Sequence, residues 1–181
     1  MKENRDSGGS ERIRELAVKP LTSAAFQAFG EVIEAPGDGG RPANDGTAQR
    51  YDDVAALALT AGGGRPQLSL FRVCPAHLPL ECRSLERHPL SSQAFLPVGA
   101  ARFLVVVAPA GGKAPDADGT RAFLARNGQG VNYRPGVWHH PVLALDAETD
   151  FVVVGRADDG HDCDLAPFDG AAVLRIAGLP E

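Results

Sequence analysis

Two segments of this chain concentrate the side chains that can move protons or hold a metal ion. The first is Leu85-Glu86-Arg87-His88-Pro89-Leu90-Ser91-Ser92-Gln93-Ala94-Phe95-Leu96-Pro97. The second is Gly130-Val131-Asn132-Tyr133-Arg134-Pro135-Gly136-Val137-Trp138-His139-His140-Pro141. Pro135-Gly136 fixes a turn, because Pro presets φ and Gly tolerates the conformations that follow it. His139 therefore enters a strand behind a rigid turn, a position suited to a metal ligand or a proton-transfer group. In the first segment Glu86 and His88 stand two apart, so on a strand they point to one face and Arg87 to the other. Gln93 joins them if the chain returns past that strand in a hairpin. A carboxylate, two imidazoles and an amide can do acid–base work. Glu86, His88, Gln93 and His139 are also a candidate ligand set for a divalent first-row metal such as nickel, manganese or iron.

Each of these residues has a plainer reading. Glu86 could form a structural ion pair with Arg72 or Arg87, and His88 a hydrogen bond at the mouth of a barrel. Their grouping favours the functional reading. His140 reads as structural and Trp138 as packing. Asn132 and Tyr133 are either core residues or donors to a substrate. Leu68, Leu70 and Arg72 share one strand face. An inward Arg on an apolar face needs an anion, and a substrate carboxylate is a fitting bidentate partner. His77 and His161 read as solvent-exposed. Arg50, Tyr51 and Asp53 read as a subunit contact or a lid.

The elements that must position these residues are short. Gly (21) and Pro (14) are abundant, which favours strands and tight turns over long helices. The pattern predicts strands over 18–21, 32–33, 51–59, 67–74, 80–88, 93–98, 102–108, 121–125, 130–134, 140–145 and 150–156, with an edge strand over 173–176. One short helix is expected after Thr22 or Ser23, with Phe26 and Phe29 on one face and Gly30 as its stop. Residues 37–49 read as a polar loop. The expected fold is all-β with one or two short helices, a sandwich or barrel of the jelly-roll kind. We expect a flexible arm over 1–13 and a single domain over 14–181.

Bulk properties narrow the class. With 181 residues, 44% of them apolar, the chain can bury one sizeable core. A formal charge of −5 with no basic stripe argues against nucleic-acid binding. No apolar run reaches the ~20 residues of a membrane span, so no membrane partner is expected. Cys74, Cys82 and Cys163 form no disulfide framework and read as small buried hydrophobes, which suits a cytoplasmic setting.

The spacing Glu86-x-His88-x4-Gln93, with Pro135-Gly136-x-x-His139 downstream, resembles the two motifs of the cupin superfamily. Glu86 stands where that family usually has a first His, and Gln93 where it has Glu. The longer runs, with Arg50-Tyr51-x-Asp53, Arg72 before Pro75, Leu78-Pro79-Leu80, Arg121-Ala122-Phe123 and Thr149-Asp150-Phe151, look like the ureidoglycolate lyase family of allantoin degradation. The match extends from about Val18 to Asp164. The resemblance implies a cupin-like jelly-roll β-barrel, a homodimer, nickel, and cleavage of (S)-ureidoglycolate to glyoxylate and urea. That chemistry needs a base for the substrate hydroxyl and an acid for the leaving urea. Glu86 or His88 would be the base and His139 the acid. Arg72, Gln93, Asn132 and Tyr133 would bind substrate. Three rivals stand beside it: an amidohydrolase that releases ammonia, a non-catalytic cupin that binds a small acid, and a metal-dependent sugar isomerase or dioxygenase. The last needs a fuller histidine set than this chain offers.

Overall fold

The structure, a computed structural model, describes residues 12–126, 128–157, 160 and 162–180. Residues 1–11 of the expected arm, and His161, lie outside the described residues. Arg12 and Ile13, assigned to that arm, instead belong to a strand.

Strands are numbered in chain order. A five-stranded sheet has the order β3 (Gly30–Ile33), β12 (Gly130–Tyr133), β9 (Gln93–Pro97), β15 (Thr149–Ala157) and β6 (Arg65–Val73). A seven-stranded sheet runs β16 (Asp164–Pro167), β8 (Ser84–Arg87), β13 (Trp138–His139), β10 (Phe103–Ala108), β11 (Arg121–Ala125) and β2 (Val18–Pro20), with β14 (Leu143–Ala144) also on β10. A small sheet places β17 (Ala172–Ile176) between β1 (Arg12–Glu15) and β7 (Leu80–Cys82). The expected loop 37–49 carries a hairpin of β4 (Arg41–Ala43) and β5 (Ala48–Arg50). The fold is all-β. Hydrogen bonding among the described strands gives packed sheets, with no closed ring of strands.

The strand β10 explains the layering. Its six residues are all buried. Phe103, Val105 and Val107 face one core, with Phe95, Tyr133, Phe151 and Val153 of the five-stranded sheet. Leu104, Val106 and Ala108 face a second core with Cys82, Leu85, Trp138, Leu174 and Ile176, which the small sheet covers. A continuous apolar run is what a strand buried on both faces requires. Edge-to-face rings knit the first core: Phe103 and Phe151 lie 5.2 Å apart at 85°. Each such buried ring contributes about 1.5–3 kcal/mol by removal from water.

The short helix α1 spans Ser23–Phe26, and Thr22 caps it by accepting the Ala25 N–H at 3.2 Å. Phe26 and Phe29 both enter the first core, as their spacing predicts. Gly30 does not stop the helix; it begins β3. A Cβ there would sit 1.8 Å from the carbonyl oxygen of Asn132, so the close strand crossing demands glycine.

Several expectations need correction. Residues 51–59 form no strand. They run as coil, tied down by side chains instead of a ladder: Asn132 Nδ2 donates to Ala56 O at 3.1 Å and Ser92 Oγ accepts from Ala58 N at 2.9 Å. The single strand expected over 80–88 divides at Arg83, its halves joining different sheets. Of the strand expected over 140–145 only β14, Leu143–Ala144, forms; β13 lies ahead of that range at Trp138–His139, and Pro141 between the two has no N–H for the ladder. The strand β17 is central in its sheet, not an edge. Only Cys82 is buried; Cys74 and Cys163 are exposed.

Candidate active site

At one end of the sandwich the two large sheets leave a gap between their inner faces. From the seven-stranded sheet, β8 and β13 pair so that Glu86 lies directly opposite His139. Leu85 and Trp138 occupy the alternate positions and fill the second core, which turns Glu86 and His139 to the inner side. His88, two residues past Glu86, follows it inward. The outward Arg87 pairs with Asp164 at 2.8 Å and caps the Trp138 ring at 4.4 Å. Arg72 is likewise engaged elsewhere, so neither arginine neutralises Glu86. That carboxylate faces the imidazoles.

Glu86, His88 and His139 each present one ligand atom, and those atoms all lie within 4.8 Å of one another. The rings of His88 and His139 are 5.4 Å apart. Main-chain carbonyls set both tautomers. His88 Nδ1 meets Asp162 O, and His139 Nδ1 meets Val137 O at 3.1 Å. A carbonyl only accepts, so each Nδ1 carries a proton and each ring turns its Nε2 inward. Neither Nε2 has a hydrogen-bond partner among the described residues, and His139 Nε2 is 3.5 Å from Glu86 Oε1. Two ring nitrogens and a carboxylate facing one another need a proton or a cation between them. The donor set therefore fits a divalent metal held by two imidazoles and a carboxylate. His139 also holds the Glu86 carboxyl below the usual carboxylate range, against the opposing effect of burial.

The five-stranded sheet closes the other side. Tyr133 stacks on His139, and its hydroxyl is buried with no hydrogen-bond partner among the described residues. Burial, with Glu86 adding to it, pushes that hydroxyl's pKa up, so it stays a donor. Gln93 sits on β9 in this sheet, facing the histidines across the gap instead of along a shared hairpin. Beside the triad is a cavity of about 180 Å³, lined by His88 and Ser91 and by Gln93, Ser69, Phe71 and Arg156 of the five-stranded sheet.

Two expected substrate binders lie elsewhere. On β6 the alternation is as expected but its sense is reversed: Ser69 and Phe71 turn inward, while Leu68 and Leu70 are 73% and 70% exposed. Arg72 follows Leu70 outward and pairs with Asp150 at 2.8 Å. Asn132, adjacent to Tyr133, points away from the site and donates to Glu31 at 2.8 Å as well as to Ala56 O. The sequence reading missed Arg156 and Asp162. One signal was available for the arginine, the glycine run Gly62-Gly63-Gly64 that packs against it.

A family model described as ureidoglycolate lyase matches residues 13–175. A protein named ureidoglycolate lyase from Burkholderia cepacia is 49% identical over 162 residues, 89% of this chain and 90% of the relative. One of the same name from Pseudomonas syringae pv. syringae is 43% identical over 168 residues, covering 93% of this chain and 98% of the relative. Among solved structures, a dTDP sugar isomerase from Desulfovibrio desulfuricans G20 aligns over 78% of this chain and 84% of its own, at TM-score 0.43 and 18% identity, a likeness too loose to carry an argument. With the family model covering nearly the whole chain and these two relatives matched over 90% and 98% of their own length, the chain belongs to the ureidoglycolate lyase family.

Proposed function

We propose that this enzyme cleaves (S)-ureidoglycolate to glyoxylate and urea, as a step in allantoin breakdown. The observation that carries the reading is the convergence of Glu86 with the two Nε2 atoms of His88 and His139 in a partly buried corner, in a chain of this family. The substrate bears hydroxyl, carboxylate and ureido nitrogen on one carbon. His88 Nε2 takes the hydroxyl proton. The C=O bond of glyoxylate forms as the C–N bond breaks. The electron pair leaves on the urea nitrogen, which takes a proton from His139 Nε2. The Glu86 carboxylate lies 3.5 Å from that nitrogen. No redox change occurs. Each positioned acid or base is worth about 10²–10⁴-fold.

A divalent ion, which we take to be nickel, would be held by Glu86, His88 and His139, with the Gln93 amide as a further oxygen donor; the two Nε2 atoms would then be ligands, and the acid–base roles given above belong to the site without the ion. Such an ion would supply Lewis acidity that lowers the pKa of the substrate hydroxyl. Tyr133 and Gln93 orient the urea portion. The working form is a homodimer in the cytoplasm. Three free cysteines support the compartment, and the exposed outer face of the edge strand β6 supports the dimer.

The test is product analysis with purified protein and (S)-ureidoglycolate. Glyoxylate with equimolar urea is expected, and ammonia in place of urea would overturn the lyase in favour of an amidohydrolase. His88→Ala and His139→Ala should each lose about 10²–10⁴-fold in kcat while remaining folded. Chelation followed by nickel restores activity if the ion takes part.

A further inference from the structure

We propose that the buried Arg156–Asp162 ion pair aims the His88 ring, which makes both members positioning residues for the lyase reaction. The task of His88 rests on the lyase reading. The aiming of its ring rests on geometry alone.

His88 lies just past the end of β8 and before Pro89, so no strand ladder holds it. Its main-chain carbonyl accepts the Gly136 N–H at 2.8 Å, which fixes the backbone but not the ring. Pro89 has no N–H, so Leu90 offers the first main-chain donor after the histidine. Asp162 takes hold on both sides of that proline. Its main-chain oxygen accepts the His88 Nδ1–H, and its carboxylate accepts the Leu90 N–H at 2.7 Å.

A main-chain carbonyl is only as well placed as the residue that bears it. Asp162 lies in the link between β15 and β16, outside both strands, and does not line the cavity. Its own side chain seats it. That carboxylate is 7% exposed, and the oxygen not bound to Leu90 faces Arg156, with Nη1 at 3.8 Å. A carboxylate this far from water requires a cation beside it, and the pair satisfies both charges.

The arginine is seated in turn. Its side chain is 1% exposed, Nε donates to Ala61 O at 2.9 Å, and Nη2 donates to Gly62 O at 3.4 Å. A Cβ on Gly64 would stand 2.0 Å from Arg156 Nε. Gly64 has φ −67° and ψ 164°, a conformation open to any residue, so glycine there makes room for the arginine. The contacts run from this coil through Arg156 and Asp162 to the ring of His88. His139 is held differently, by the carbonyl of Val137 two residues away. The two imidazoles of the site therefore have independent supports, and disturbing one should leave the other in place.

The experiment compares wild type, Asp162→Ala, Asp162→Asn, Gly64→Ala and the double variant Arg156→Met/Asp162→Leu. One readout is ureidoglycolate turnover. The other is the imidazole Nδ1–H resonances of the free, 15N-histidine-labelled protein, assigned with His88→Gln and His139→Gln. Asp162→Ala should lower kcat by roughly 10- to 100-fold, the usual cost of removing a group that orients a site histidine. KM should stay within about threefold, because Asp162 does not line the cavity. The His88 Nδ1–H signal should be lost to exchange while that of His139 persists. Asp162→Asn keeps an acceptor for the Leu90 N–H and should lose less. Gly64→Ala, which displaces the arginine from its far side, should weaken the His88 signal and spare that of His139. The double variant buries no lone charge, so it should recover folding stability but neither kcat nor the signal. Wild-type kcat or an intact His88 signal in folded Asp162→Ala overturns the proposal, as does recovery of both in the double variant or absence of the signal in wild type. If Asp162→Ala does not fold, the double variant decides. A wild type that releases no urea, yet loses the His88 signal in Asp162→Ala, would overturn the lyase reading and leave the positioning role standing.

Discussion

Tyr133 lies flat against His139, with ring centroids 4.3 Å apart and planes within 14°. The two residues come from different sheets, Tyr133 from β12 and His139 from β13, and are joined by the Arg134–Val137 turn. The stack fixes the imidazole on one side, while its Nδ1 bond to Val137 O fixes it from behind. Only the Nε2 edge, toward Glu86, is left for chemistry.

The Tyr133 hydroxyl has no hydrogen-bond partner among the described residues, so it adds little to folding. Tyr133→Phe keeps the ring and the stack. We expect its thermal midpoint to match wild type within the ~1 kcal/mol of a typical hydrogen bond. We expect kcat/KM to fall about 10-fold, because a buried donor held protonated is lost from the site. Unchanged kinetics would reduce Tyr133 to a stacking plate.

Arg72→Ala should leave kcat/KM within about twofold of wild type. The side chain is 66% exposed and paired with Asp150 and Glu148 on the outer face. Exposed ion pairs of this kind are worth about 0–1 kcal/mol. A large rise in KM for this variant would contradict the outward placement.

The contrast between Arg72 and Glu86 shows what the sequence could reveal. Period-two alternation correctly grouped Glu86 with His88, and Leu68 with Leu70 and Arg72. It does not say which face is inside. For β8 the inner face was signalled by chemistry. For β6 the rule that apolar faces the core misled, because the end of the gap is polar and carries Ser69 and Gln93. Gln93 was placed beside His88 for the wrong reason, since β9 pairs with β12 and β15 and not with β8. Arg156 was illegible by alternation, because it follows the run Val152–Gly155 at a strand end where the side chain curls onto a distant glycine loop. Asn132 was ambiguous because its neighbour Tyr133 is in the site, and adjacent strand residues face opposite ways.

The reversed face of β6 has its own consequence. Nine residues of an edge strand, Arg65–Val73, carry exposed Leu68 and Leu70, an arrangement that invites pairing with another copy. Leu68→Asp/Leu70→Lys should convert a dimer to monomer in sedimentation analysis without loss of fold. A variant that stays dimeric would move the interface to another face.

Cys82 separates from the other two thiols by burial. It is fully enclosed in the second core, where burial pushes its pKa up to about 12, with a bond to Ser84 O only partly offsetting that. Cys74 and Cys163 are exposed, and Cys163 is itself shifted upward by partial burial and by the carboxylates of Glu86, Asp164 and Asp162. The thiolate is the reactive form. At pH 8 a thiol reagent should modify Cys74 and Cys163 in the native protein and reach Cys82 only after unfolding. Because the folded thiol of Cys82 titrates above its ordinary value of 9.0, its contribution to stability is complete below that pH and is lost as pH rises toward 12. Cys82→Ala should flatten that part of the alkaline stability profile. Rapid labelling of all three thiols in the native protein would show that the small sheet does not seal the second core.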